Sequence, residues 1–365
     1  VQEGMEKQSP KERVIYRANL FGANSSRLKR LQDSINAAKD PVEGMGSDLA
    51  LACFSPEPNN FGRYTSAHWS QVSNPSLDYI RESGAFSTKV LLGARPHETE
   101  EAFKYNIDKQ YALADPLLDD DQMTALYARD KRHKPKRITI QSTFEGNEST
   151  SCEARIEEIK DQVLESARSR QHAIIVLSDR KAELEGKLYI PPHILVAYIS
   201  RELDKEGLSS GVSLIVDTGE VFDQHEFNLL VACGAKAVHP RSIYELIDSE
   251  SLRLKTADAA EAKANLRKSF QSTLLRYMAK IGMTDIDAYR GSQEFSTIGL
   301  SKEMIEKYFR SDDVDTNGGG VGLETLIAAQ IKRRQFDSGG RKVRKSEERE
   351  GYKKSIMSAL QAVGA

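Results

Sequence analysis

Residues 173–177 read AIIVL, residues 212–216 VSLIV and residues 236–238 KAV. A short, unbroken apolar run between polar residues is the pattern of a strand buried on both faces, as in a parallel sheet. Ahead of them Arg137 to Ser142 (RITIQS) is a further β-prone run. Between the runs the apolar spacing changes to three and four. Ile156, Ile159, Val163 and Ala167 share one helix face, and Thr150-Ser151-Cys152-Glu153 is expected to open that helix as a capping box with Thr150 at the N-cap. Pro191-Pro192 opens a second helix, with Ile194, Leu195, Tyr198, Ile199 and Leu203 inward and Gly207 as its stop. Gln224 to Cys233 predicts a third, ended by Gly234, and Pro240 starts a fourth with Ile243, Leu246 and Ile247. Crossovers of this length demand parallel strands and a right-handed path. The fold class is therefore α/β with parallel βα units, arranged as a half-barrel or as a small doubly wound sheet.

Outward from this centre the patterns loosen. Residues 1–30 are charged and carry few apolar residues in phase, which reads as an arm or docking segment. Residues 40–135 are punctuated by Pro, Gly and Asn, with room for short helices near 65–73 and 119–130. Beyond the βα units, Ala257 to Lys280, Ser301 to Phe309, Leu323 to Phe336 and Tyr352 to Val363 predict helices, and 337–351 is a polar link. Three regions follow: an irregular and partly helical 1–135, the βα repeats of 136–255, and a helical 256–365 with a basic tail.

Composition narrows the function classes. A chain of 365 residues suggests two domains or three. With 39% hydrophobic residues it can bury a core, and is too apolar for a disordered chain. Lys+Arg 52 against Asp+Glu 54 excludes a globally basic nucleic-acid binder. No run approaches the ~18 apolar residues of a membrane span, and no signal-peptide pattern is present, so a reducing intracellular setting, cytoplasmic or organellar and not secreted, is expected. Three scattered cysteines, Cys53, Cys152 and Cys233, argue against a disulfide framework, a zinc site or an iron–sulfur cluster made by this chain alone. Val1 in place of Met is expected of a processed chain or a piece of a longer one.

Chemistry in parallel α/β folds gathers at the C-terminal ends of strands. Those positions hold Asp179, Arg180, Glu220 and His239, with His225 opening the next helix. They form a candidate anion pocket in which Arg180 is the carboxylate fork. The plainer reading is that Asp179 and Glu220 cap turns and helix starts while Arg180 neutralises them. No histidine spacing suits a metal, and no GxSxG or catalytic cysteine motif occurs, so no catalytic or metal residue is assigned. Gly318-Gly319-Gly320-Val321-Gly322 lacks the preceding strand of a phosphate loop and reads as a flexible turn. Residues 332–354 hold ten Lys/Arg against four acids but only Phe336 and Tyr352 as aromatics, which favours a solvated helix-linker-helix over nucleic-acid contact.

Longer stretches carry a resemblance. Pro41 to Asp48 (PVEGMGSD), Gln71 to Asp78 (QVSNPSLD) and Ile80-Arg81-Glu82 resemble the entry to the central domain of the glutamate synthase large subunit. Leu177 to Arg180, Ile190-Pro191, Val216 to Glu220 and Cys233 to Val238 are similar to the same domain in the same order. Met278 to Met283, Ala288 to Gln293, Ile298 to Leu300, Tyr308-Phe309 and Gly319 to Glu324 are similar to the opening of the FMN-binding synthase barrel. The resemblance runs over roughly 30–335. It implies an enzyme that makes two glutamates from glutamine and 2-oxoglutarate, with ammonia tunnelled from an amidotransferase to an FMN barrel and electrons supplied through a 3Fe–4S cluster, and a central domain that is mainly scaffold. Met278, Gly282, Arg290 and Gln293 would then touch flavin only where another chain completes the barrel. The chain lacks the amidotransferase nucleophile and the later barrel loops. It departs from the family pattern at Ala197 to Ser200, His225-Glu226, His239-Pro240 and Ser296. The expectation is a scaffold inactive by itself, needing no cofactor alone and partnered by other glutamate synthase domains or subunits. The alternatives are a catalytically silent assembly subunit of a larger complex and, more weakly, a small anion-binding module.

Overall fold

A computed structural model describes residues 9–41, 50–67, 85–95, 110–128, 136–169, 173–309, 320–336 and 343–345. Residues 9–30, read from the sequence as an arm or docking segment, are built of two helices packed on the rest of the chain. Ser9 and Glu12 form a reciprocal capping box, Ser9 N donating to Glu12 Oε2 at 2.8 Å and Glu12 N to Ser9 Oγ at 3.3 Å, and Pro10 sits at the first helical position. They open α1 (Pro10–Leu20). Asn24 caps α2 (Ser25–Ala37), whose Leu28, Leu31 and Ile35 form one buried stripe. Both helices belong to the core, and Phe21 between them is completely buried. Their charges lie on the outer faces, so the low overall hydropathy of this stretch hid two amphipathic helices.

The central sheet follows the apolar runs. β1 (Arg137–Gln141), α3 (Ser149–Arg168), β2 (Ile174–Ser178), α4 (Pro192–Lys205), β3 (Ser213–Thr218), α5 (Gln224–Cys233), β4 (Ala237–Pro240) and α6 (Arg241–Asp248) succeed one another. The strands lie in the order β1-β2-β3-β4, all parallel, with Ile175 beside Leu214 and Val216 beside Val238. Sequential order without reversal is that of an opened barrel, whereas a doubly wound sheet reverses at a switch point. The half-barrel alternative is the one realised. Every residue of β2, β3 and β4 is buried, as their unbroken apolar reading requires. Thr150 is not the cap of α3: the helix begins two residues earlier than that cap implies, at Ser149, with Glu148 at the N-cap and no capping side chain.

An open sheet leaves two edges of unpaired backbone, and one segment pairs along that of β4 and then meets side chains of β1. Leu117 bridges Val238, so residues 116–118 pair along the free edge of β4. The helix Asp120–Ala128 then carries the chain to β1, where Arg137 donates to the Leu126 and Tyr127 carbonyls and Tyr127 Oη meets Thr139 Oγ1 at 2.9 Å. Arg267, on the long helix α7 (Ala259–Ile281), holds this segment through Asp115 at 2.7 Å and Asp119 at 2.9 Å. The apolar stripe of α7 packs on α2, α5 and α6, and α8 (Leu323–Gln335) packs on α1 and α3.

Three further expectations change. Residues 65–67 form a strand paired antiparallel with 295–297, not the start of a helix, because a partner 230 residues away satisfies their backbone; 68–73 lie outside the described residues. Gly320 is not in a flexible turn: it adopts φ +118 with its Cα packed against the Leu300 carbonyl, so that a Cβ would lie 2.5 Å from that oxygen. Gly318 and Gly319 are outside the described residues. The basic tract is not uniformly solvated, since Arg333 and Arg344 are buried; 337–342 and 346–354 are not described, nor is the expected helix at 352–363.

Phe21 is the plug that joins the amino-terminal helices to the sheet. Its ring lies 5.0 Å from that of Tyr189 and directly under Gly219, where a Cβ would come within 2.3 Å of Phe21 Cδ2. Phe21→Ala is expected to cost about 3–5 kcal/mol in urea unfolding. Gly219→Ala is expected to destabilise the native chain and to do little further harm in the Phe21→Ala background. Additive losses in the double variant would show that the ring and the glycine do not share one space.

Candidate functional site

The ends of the parallel strands bring titratable groups into one row. Register aligns Ser178, Asp217 and His239 side by side on β2, β3 and β4. Ser178 Oγ donates to Asp217 Oδ2 at 2.7 Å, and His239 Nδ1 lies 2.8 Å from Asp217 Oδ1. His239 Nε2 faces Asp120 Oδ1 at 3.2 Å, so carboxylates oppose both ring nitrogens, the arrangement of an imidazolium with two donors. Burial alone would lower the His239 pKa, but hydrogen bonds to Asp120 and Asp217 outweigh it and the value is raised.

Arg241, the first residue of α6, reaches back beneath this row and is 1% exposed. Its guanidinium donates to Asp179 Oδ1 at 2.9 Å, Glu183 Oε1 at 3.0 Å and Asp217 Oδ1 at 3.2 Å. Asp179 also accepts from Thr218 Oγ1 at 2.5 Å and from Gly219 N at 3.2 Å. Burial pushes the Asp179 carboxyl up to about 6 against the pull of Arg241. Burial works the same way on Asp217, but there Arg241 and His239 prevail and hold its carboxyl well below the usual range.

The structure separates the five residues that the strand-end rule grouped. Asp179 and His239 belong to this network, linked through Asp217 and Arg241. Arg180 stands at its rim, its side chain 46% exposed and 3.6 Å from Asp217. Arg241, not Arg180, is the neutralising cation, because Arg180 starts a short helix and projects outward. Asp179 occupies an N-cap position without making a capping bond. Glu220 lies toward Tyr189 and Arg333; burial pushes its carboxyl up to about 7 against the Arg333 charge. His225 lies apart, between Thr65 Oγ1 at 2.9 Å and Tyr277 Oη at 3.1 Å. Between Ser142, Asp179, Pro192 and Thr218 there is no void for a water-sized probe. Sequence reasoning missed Arg241, Glu183 and Tyr189. Arg241 alone had a signal, its place directly after the fourth strand; Phe21, which closes the site from a helix some 200 residues earlier, had none.

The residues matched to a flavin site are dispersed in purpose. Met278 is wholly buried in the stripe of α7, Gly282 is that helix's left-handed cap at φ 76, and Arg290 is tied to Asp287 at 3.3 Å. Gln293 takes a positive φ and donates its N–H to the Ala232 carbonyl at 3.0 Å. In this chain each of the four thus has a local place in the fold. Cys53, Cys152 and Cys233 are all free thiols, and burial pushes those of Cys152 and Cys233 far up. Among the described residues no three His, Cys, Asp or Glu converge as metal ligands, and no helix is long and apolar enough to cross a membrane.

Residues 16–301 match the family described as Glutamate synthase central domain. The chain is 30% identical over 334 residues to the Glutamate synthase (NADPH) large chain of Bacillus subtilis, an alignment covering 89% of this chain and 21% of that one. It is 28% identical over 332 residues to the chloroplastic Ferredoxin-dependent glutamate synthase of Oryza sativa subsp. japonica, covering 86% and 20%. The chain thus spans about a fifth of the length of these relatives. Among solved structures, a flavocytochrome b2 variant with sulfite bound aligns at 16% identity and a TM-score of 0.33 over 61% of this chain and 52% of that one, too low to carry a conclusion.

Two outcomes follow from the network. Arg241→Ala strands three buried carboxylates and is expected to cost about 3–5 kcal/mol at neutral pH, with part of the loss recovered on acidification as they protonate; urea unfolding at two pH values measures it. The raised His239 stabilises fully below its ordinary 6.5 and loses that contribution as pH rises through its folded value. Asp179 and Glu220, raised from 3.8 and 4.5, run in the same direction. Melting temperature should therefore fall from about pH 5 to about pH 8, with a shallower slope in His239→Gln. Parallel slopes would show that His239 is not charged in the fold.

Proposed function

The chain belongs to the glutamate synthase central-domain family, and on that premise we propose that it is the scaffold of a glutamate synthase and does no chemistry by itself. The observation that supports this is the closed strand end. In parallel α/β enzymes this end is where substrates are held. Here Arg241 donates to Asp179, Asp217 and one oxygen of Glu183, and Phe21 lies directly under Gly219. A group that already carries its partners in a dry interior has neither a free acid–base proton nor a vacant hydrogen bond to offer a substrate.

In this reading the reaction belongs to flanking regions: an amidotransferase that releases ammonia from glutamine, and a flavin barrel that adds it to 2-oxoglutarate. The central chain sets their separation and orientation through a stiff core, the four-stranded sheet and the helices packed on it. In the same reading flavin and the 3Fe–4S centre are held in those flanking regions. Unpaired, buried thiols suit a reducing compartment, cytoplasmic or organellar.

The purified chain is expected to show no flavin absorbance and no glutamate formation from glutamine and 2-oxoglutarate. Cross-linking mass spectrometry on its native source is expected to find amidotransferase and flavin-barrel sequence joined to it, on the same polypeptide or on a companion. Stoichiometric flavin on the isolated chain, unaided turnover, or the absence of both companions would each overturn the scaffold reading.

A further inference from the structure

A cleft remote from the strand ends has its own chemistry. It lies at the start of α2, between Asn24 and Arg27 on the helix, the 57–60 loop, and the short stretch 343–345 laid across them. That stretch is fastened by Ser25 N donating to the Arg344 carbonyl at 2.8 Å and by Arg344 N donating to Asn19 Oδ1 at 3.1 Å. About 30 Å³ of the cleft is free, more than the roughly 10–15 Å³ that one water needs.

Its walls are over-supplied with donors. Four guanidiniums, Arg27, Arg30, Arg63 and Arg344, line it against two carboxylates, Glu57 and Asp223. Both carboxylates are engaged: Glu57 takes the Arg344 Nη2 and Asn24 Nδ2 hydrogens, and Asp223 accepts Glu226 N at 2.8 Å as the cap of α5. Asn59 and Arg344 are each more than nine-tenths buried. Yet among the described residues Asn59 Nδ2, Arg344 Nε and Arg344 Nη1 have no hydrogen-bond partner. All three orphaned atoms are donors, and each carries a desolvation cost until an acceptor arrives. A cation would worsen that imbalance, and a water would bring two further hydrogens to place. The N-terminus of a thirteen-residue helix adds its positive end to the same spot.

We propose that this cleft is an anion site that takes a phosphate group, held by Arg344 and Asn59 against the first turn of α2. The phosphate supplies terminal oxygens that only accept, which is what the orphaned donors lack, and a guanidinium with two free N–H groups offers it a fork. The group can come as free inorganic phosphate or as the head of a small phosphate monoester. Neither the candidate residues at the strand ends nor the scaffold reading bears on this cleft, so the two stand or fall separately.

The test is isothermal titration of the full chain with inorganic phosphate and, in a separate arm, with glycerol phosphate, each against sodium chloride of equal ionic strength. One saturable site per chain is expected. Asn59→Leu, which removes the donor at similar volume, and Arg344→Gln are each expected to weaken binding by about tenfold or more. Lys187→Gln, in another charged cavity lined by Arg155 and Lys181, should leave affinity unchanged. Binding of free phosphate alone assigns a site closed over the ion, and binding of the ester assigns one open to a larger molecule. Should Arg344→Gln fail to fold, Asn59→Leu decides. No saturable heat beyond the chloride control, affinity indifferent to Asn59→Leu, or a crystal grown in phosphate with only water in the cleft would overturn the proposal.

Discussion

A single buried guanidinium holds together the side of the sheet where the chain would otherwise repel itself. Asp179, Asp217 and Glu183 come from the ends of two adjacent strands and the short helix after the first, all out of water. Three carboxylates so placed cannot remain ionised without a cation among them. Arg241 reaches all three because it is the first residue after β4, and β4 lies next to β3. The strand order thus delivers the charge that the strand ends require. His239, one strand position before the turn, extends the network to Asp120 and so fastens the covering helix Asp120–Ala128 to the same centre.

Around that centre the half-barrel solves its two structural problems locally. Its free edge at β4 is paired by residues 116–118, and the helix that follows reaches the side chains of β1. Its concave mouth is filled from the amino terminus, where Phe21 sits against Tyr189 and under Gly219. Both devices exchange a place for ligand for rigidity. The scaffold role proposed above would draw on such a core, because a packed interior transmits position without bending.

Much of this was legible in advance, because it is local. Unbroken apolar runs mark doubly buried strands wherever they occur, and Pro191-Pro192, Gly207 and Gly234 end or begin helices through backbone constraints that no distant contact has to supply. The expected Gln224 to Cys233 helix matches the observed one residue for residue. The failures share an opposite cause. Whether Thr65 to Ala67 is helix or strand depends on Phe295 to Thr297. Whether Arg180 or Arg241 neutralises Asp179 depends on which side chain projects inward from a helix start. Whether Arg344 is solvated depends on Glu57 and Asn19, far away in the chain.

Alone, the amino-acid sequence determined the class of the fold, the parallel sense of its strands and the family of the chain, since periodicity and motif order are properties of neighbouring residues. The choice of half-barrel over doubly wound sheet, the burial of α1 and α2, the closure of the strand ends by Phe21 and Arg241, and the donor-rich cleft at Asn59 and Arg344 were decided only by tertiary structure. Each rests on contacts between residues whose separation in the chain runs from tens to hundreds, and the energy of such a contact depends on burial and geometry that exist only once the chain has folded.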